Sequence, residues 1–118
     1  KYYKNELHKP NMYNWNNAVS YYTKRLVIRN PEAIKYLQYI FKYKNVSEKF
    51  FWSNSRNVRV ATELDTIEYR FLIVKLKYSD YVIQMLALIH ITECIKHNCI
   101  LNKSYLSTLA TVAKSLRK

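Results

Sequence analysis

The sequence predicts an all-α fold, a compact bundle of five to six helices joined as helical hairpins. Three observations carry that expectation. The 118-residue chain contains no glycine, and glycine is the residue that tight β-hairpin turns with positive φ most often require. Apolar residues recur along most of the chain at alternating steps of three and four, the period of one face of an α-helix. The breaks between these runs are built from Asn, Ser and Pro, residues that start and stop helices. One domain covering residues 1–118 is expected at this length, with enough chain to bury roughly two-thirds of its unfolded surface. A hydrophobic fraction of 49% with 24% charged residues argues against a disordered chain.

The elements follow in order. Residues 1–10 read as a polar and aromatic lead-in ending at Pro10. Asn11 is placed to cap a first helix, 11–29, whose buried face is Met12, Trp15, Val19, Tyr22 and Leu26. Asn30-Pro31 ends it, because the residue before proline is disfavoured in the α region. The same pair with Glu32 starts a second helix, running to about Lys44, with Ala33, Leu37, Ile40 and Phe41 inward. Ser47 is placed to cap a short helix holding Phe50, Phe51 and Trp52. Residues 57–78 give the clearest helical pattern: Val60, Leu64, Ile67, Phe71, Val74 and Tyr78 are spaced 4-3-4-3-4, with Leu72, Ile73 and Leu76 widening the stripe. A helix over 80–97 follows, with Val82, Met85, Leu86, Ile89 and Glu93 or Cys94 inward. Asn102 caps a last helix that buries Leu106, Leu109, Val112, Ala113 and Leu116. Segments 11–46, 47–78 and 79–118 have similar lengths, so a short α-solenoid-like stack of hairpins is the alternative to a single bundle.

Charge is the strongest functional signal. Twenty Lys and Arg against eight Asp and Glu give a formal charge of +12. Residues 1–50 hold ten cations against three acids, and 51–118 hold ten against five, so the balance is not that of a detachable basic tail. A field of this sign favours a nucleic acid, an anionic membrane surface or an acidic protein. Two cysteines, Cys94 and Cys99, are too few for a disulfide scaffold and predict reduced thiols in an intracellular compartment. No signal peptide pattern stands out. The apolar run Val82 to Ile91 is about half a membrane span and contains Gln84 and His90, so no transmembrane helix is expected. The chain begins at Lys1, which is read as a domain excised from a longer protein.

The stretch 42–59 interleaves cations and aromatics. Lys42, Lys44, Lys49, Arg56 and Arg59 can neutralise phosphates, and Tyr43 or Trp52 can stack on unpaired bases. These seven residues are the expected nucleic-acid contacts. The plainer alternative is that Phe50, Phe51 and Trp52 pack onto the core while the lysines are merely solvated. Cations at helix ends, such as Lys24, Arg25 and Arg29 or Lys114, Arg117 and Lys118, are explained by the helix dipole, with phosphate contact as the alternative role. His90, Glu93, Cys94 and His97 can share one helix face, but their spacing is that of no zinc finger or zinc protease, and no metal or other cofactor is expected. A chain without glycine cannot build a glycine-rich phosphate loop. Its three histidines have no nucleophile at a readable spacing, so the expectation is a binding protein and not an enzyme.

Two fragments bear resemblances. Met85-Leu86-Ala87-Leu88 followed by Leu106-Ser107-Thr108-Leu109-Ala110 resembles the helix pairs of organellar helical-repeat RNA-binding proteins, over 79–118 only. Ile91-Thr92 and Leu116-Arg117-Lys118 resemble pieces of the small helical domain at the N-terminus of transcription elongation factor S, whose relatives bind short peptides. The glycine often found between those pieces is missing here and the spacing is longer. Neither resemblance assigns a family. The expected partner is therefore a nucleic acid, RNA before DNA. The alternatives are a helical or acidic protein partner held between helices and an anionic lipid surface. The sequence sets no oligomeric state.

Overall fold

The computed structural model describes residues 23, 25, 26, 29–47, 50, 51, 56–61, 66–72 and 77–117. Among them three α-helices have both ends defined: α1 (Ile34–Phe41), α2 (Tyr78–His97) and α3 (Lys103–Leu116). A two-stranded antiparallel sheet pairs β1 (Val58–Ala61) with β2 (Thr66–Tyr69). The expected all-α bundle of five to six helices, and with it the stack of three hairpins, is corrected: the described residues form a mostly helical domain with three fully bounded α-helices and a small two-stranded sheet. Thr23, Arg25, Leu26 and Arg29 have helical backbone, within the helix expected over 11–29. Met12, Trp15, Val19 and Tyr22 of that helix lie outside the described residues.

The main correction falls on residues 57–78. Val58 pairs with Tyr69, Arg59 with Glu68, Val60 with Ile67 and Ala61 with Thr66. The backbone N–H of Arg70 extends the ladder to the carbonyl of Asn57 at 2.7 Å. Two periods coexist in this stretch. The 4-3-4 spacing is real, but Ile67, Tyr69 and Phe71 also alternate at period two, and short apolar runs satisfy both templates. The β-branched Val58, Val60, Thr66 and Ile67 tip the local preference toward strand. Four residues, 62–65, join the strands, and connections of that length lack the strict glycine demand of two-residue hairpins. Tyr78 begins α2 instead of ending a helix.

The glycine-free helix ends are made by other residues. A short 3-10 turn, Pro31–Ala33, leads into α1, and Asn30 does not cap it by its side chain. The Asn30 amide instead donates to the carbonyl of Leu26 at 2.7 Å. Helix α1 closes on Lys42 at φ 53°, and α2 closes on Asn98 at φ 51°. At both ends the next residue turns back, Tyr43 N–H to Gln38 carbonyl at 3.1 Å and Cys99 N–H to Cys94 carbonyl at 2.9 Å. This is the left-handed helix stop in which glycine is usual. A lysine there carries a conformational cost of about 1 kcal/mol, and Lys42 is held in place by the contacts described below. Asn102 caps α3 as expected, its Oδ1 accepting from the Tyr105 N–H at 3.0 Å.

The core gathers around Phe71, just after β2. Its ring meets Phe50 at 4.7 Å, Phe41 at 4.9 Å and Phe51 at 5.8 Å, all edge to face. Such pairs each add about 0.5–1.5 kcal/mol beyond the area they bury. Phe50 and Phe51 are 2% and 1% exposed and occupy a turn, so the plainer alternative for them is the one realised, without the short helix. Leu37, Ile40, Ile91, Ile95, Leu106 and Ala113 join the three helices to this cluster. On α3, Val112 and Leu116 stay exposed, while Ala110 takes an inward place.

Helix α2 reverses most of its expected orientation, with Cys94 the one expected inward residue that is buried. Ile83, Gln84, Ala87, Leu88, Ile91, Cys94 and Ile95 are buried, whereas Val82, Met85, Leu86 and Ile89 face outward. The helix is apolar on both sides, so periodicity alone selects no face. The hairpin helps to choose it: the Tyr69 hydroxyl bonds Thr92 Oγ1 at 2.7 Å. The side-chain amide of Gln84 also donates inward, to the carbonyl of Ile40 at 3.3 Å.

Candidate functional site

The ends of all three helices meet at one buried ion pair. Asp80, in the first turn of α2, accepts from Arg117 Nε at 2.8 Å and from Lys42 Nζ at 3.4 Å. Arg117 follows the last turn of α3, and its remaining donors reach the carbonyls of Tyr39 and of Ile40, the latter at 2.8 Å. Those carbonyls lie at the C-terminal end of α1, where helical acceptors lack intrahelical donors. One guanidinium thus ties α1, α2 and α3 together. Burial pushes the Asp80 carboxyl up, but the Arg117 hydrogen bond and the charges of Arg117 and Lys42 outweigh it, and its pKa lies below the ordinary carboxylate value.

Above this node is a groove of about 540 Å³, lined by Lys35, Gln38, Tyr39, Lys42, Tyr43, Lys44 and Arg117. Lys114 lies beside it, with Nζ 5.3 Å from the centre of the Tyr39 ring, and the Arg117 guanidinium lies 5.2 Å from the same ring. Four cations therefore line the groove and Lys114 stands beside it, with Lys114 and Arg117 the two near the Tyr39 ring. Asp80 offsets part of the charge of Arg117 and Lys42, while Lys44 and Lys114 form no ion pair with a carboxylate among the described residues. An adjoining hollow of about 470 Å³ shares Lys35 and Gln38 and continues to Lys103, which pairs with Glu32 at 2.8 Å. The surface is thus a basic track with a tyrosine at its centre. It can bind phosphate or carboxylate groups through cation contacts, and nothing in it resembles a nucleophile with its base.

Of the seven expected contact residues, Lys42, Tyr43 and Lys44 line this groove. Tyr43 is half-buried, its ring edge to face with Phe50 at 4.9 Å. Arg56 and Arg59 are exposed but do not line the groove. Arg59 stands across the hairpin from Glu68, whose carboxyl is held below its usual range first by its bond to Arg70 and, to a smaller extent, by Arg59. Lys49 and Trp52 lie outside the described residues. Lys35 and Tyr39 are not singled out in the sequence, and Lys114 and Arg117 are assigned first to the helix dipole, with phosphate contact as the alternative. Lys35, Tyr39 and Lys42 are spaced 4-3 within a correctly expected helix, so their shared face was readable. That α3 delivers Lys114 and Arg117 to the same place was not, because it depends on how the helices cross.

The His90, Glu93, Cys94 and His97 set is bonded partly within itself and partly to the loop after α2. His90 Nε2 accepts from the Asn102 N–H at 2.9 Å, and His97 meets Glu93 at 3.2 Å. Burial lowers the pKa of His90, and burial pushes the Cys94 thiol up to about 12. Among the described residues no three His, Cys, Asp or Glu side chains gather as metal ligands. Both cysteines are free, and no described helix is long and apolar enough to cross a membrane.

Comparison with protein-family models, with curated proteins and with solved structures finds no match. The two fragment resemblances therefore gain no support, and function rests on the site itself.

Proposed function

We propose that this chain is a nucleic-acid-binding module that holds the phosphate backbone of a single strand, RNA before DNA, in the groove of α1 and α3. The observation that carries this reading is that Lys35, Lys42, Lys44 and Arg117 line one groove, with Lys114 and Arg117 beside the Tyr39 ring. Cations interleaved with tyrosine are the composition of a single-strand groove. A duplex-reading role has less support, because the exposed face of α2 is apolar and offers no row of base-reading polar groups. Tyr39 already has two cations near its ring, and Tyr43 packs on Phe50. Phosphate contacts therefore dominate, and sequence preference is weak.

A salt series tests this. With about four effective phosphate contacts, the logarithm of the affinity for a single-stranded RNA oligonucleotide should fall against the logarithm of salt concentration with a slope near −3. Filter binding or fluorescence anisotropy measures it. A flat salt dependence would remove the proposal.

The apolar outer face of α2 favours a second reading, in which the chain docks a helical protein partner.

A further inference from the structure

The chain has two cysteines, and both stand at the C-terminal end of α2. Asn98 takes the left-handed conformation there. The Cys99 N–H bonds the Cys94 carbonyl at 2.9 Å, and the Asn98 N–H bonds that of Ile95 at 3.4 Å. This pair of bonds is the helix stop in which the first and last residues of the closed turn commonly meet side chain to side chain. Those two positions are usually apolar; here they are the only cysteines of the chain. The thiol contacts agree with that placement. Both cysteines line one hollow of about 270 Å³, with His90 and His97 in its wall. The Cys94 thiol donates to the Ile100 carbonyl at 3.6 Å and the Cys99 thiol to the His97 carbonyl at 3.9 Å, so both sulfurs are held on the same turn.

We propose that Cys94 and Cys99 are a reversible thiol modification site, which closes to an intramolecular disulfide when a small disulfide of the glutathione class accepts the electrons. A disulfide needs Cβ atoms about 4 Å apart, and the backbone bond joining the two residues supplies that approach. The thiols differ in access: Cys94 is buried, whereas Cys99 is partly exposed. Burial first, and then the neighbouring Cys99, push the Cys94 thiol up to about 12. Cys99 is therefore the entry point.

The Cys99 thiol loses its proton to solvent, and the thiolate attacks one sulfur of oxidised glutathione. The glutathione S–S bond breaks and one glutathione thiolate leaves. Cys94 then loses its proton, its thiolate attacks the Cys99 sulfur, and the second glutathione leaves as the mixed disulfide breaks. Two protein thiols are oxidised, one oxidised glutathione is reduced to two thiols, and the two protons end on the leaving thiolates. His90 is placed to assist the second attack. Its Nε2 accepts from the Asn102 N–H at 2.9 Å, which puts the ring hydrogen on Nδ1, 3.9 Å from the Cys94 sulfur. The exposed Lys96 and the net charge of +12 favour the approach of an anionic oxidant. The site shares no lining residue with the basic groove, so this proposal and RNA binding fail independently.

Intact-mass spectrometry of the 118-residue chain incubated with oxidised glutathione tests the inference. The expected product is a monomer lighter by two hydrogen atoms, with neither cysteine open to maleimide until dithiothreitol is added. The C94A variant should stop at a glutathione adduct on Cys99. The C99S variant should react at least about tenfold more slowly than the wild type. Ring closure should raise the melting temperature by roughly 5 °C. A wild-type chain that keeps a glutathione adduct without closing, that links only to a second chain, or that leaves both thiols free overturns the proposal. So does a C99S variant that reacts as fast as the wild type. A closed form that melts below the reduced chain also overturns it, because the bond would then distort the helix end.

Discussion

Replacing Asp80 with asparagine is expected to lower the unfolding free energy by about 3 kcal/mol, because it leaves the Arg117 guanidinium buried without its counter-charge. The value sits at the lower end for a broken buried pair because the Lys42 side is open, its side chain 41% exposed against 6% for Asp80. For a domain of this size, about 3 kcal/mol corresponds to a melting temperature lower by roughly 12 °C. The pH dependence has a definite sign. The folded pKa of Asp80 lies below its unfolded value, so its contribution is complete above the unfolded pKa and is lost as pH falls through the folded one. Stability of the wild type should therefore drop below about pH 4, and the D80N variant should lose less over the same interval. Thermal melts of both proteins between pH 7 and pH 3 measure this. Equal losses in the two proteins would show that Asp80 is not a principal charge holding the helix ends together.

Removing three exposed cations of the groove, Lys35, Lys44 and Lys114, to alanine is expected to weaken single-stranded RNA binding by about a hundredfold near physiological salt, roughly 1 kcal/mol per phosphate contact. The salt slope should shrink by about two at the same time. Because the three side chains are exposed, the melting temperature should change little. Removing Arg56, Arg59 and Lys96, which are equally exposed but lie elsewhere, should alter affinity less than about threefold. Anisotropy titrations of both triple variants separate the two cases. Equal effects would mean that net charge, and not the groove, governs binding.

The parts of the fold legible in the sequence were those whose signals are local. Asn30-Pro31 marks the start of the segment leading into α1, and Asn102 caps α3 by the expected side-chain bond. The hairpin was misread because Val60, Leu64, Ile67 and Phe71 match a helix while Ile67, Tyr69 and Phe71 match a strand. The choice between them is made by where Phe71 must sit among Phe41, Phe50 and Phe51, which is tertiary information. The buried face of α2 was inverted for a related reason: an apolar outer row at helical spacing looks like a core face in one dimension. Zero glycine was informative about turn chemistry but did not exclude strands, since Lys42 and Asn98 adopt the left-handed conformation instead and the strand connection is four residues long. Of the site, the 42–44 cations were visible. Their partners on α3 lie about seventy residues away and converge only through the Asp80 and Arg117 node.

Polyanion docking in the groove of α1 and α3 makes a residue-level expectation. The most direct measurement is a two-dimensional amide NMR titration of the full chain with a short single-stranded RNA. The largest shifts are expected on Lys35, Tyr39, Lys42, Lys44, Lys114 and Arg117, and added salt should reverse them. Shifts concentrated on the outer face of α2 between Tyr78 and Ile89, or on Arg56 and Arg59 of the hairpin region, would contradict it.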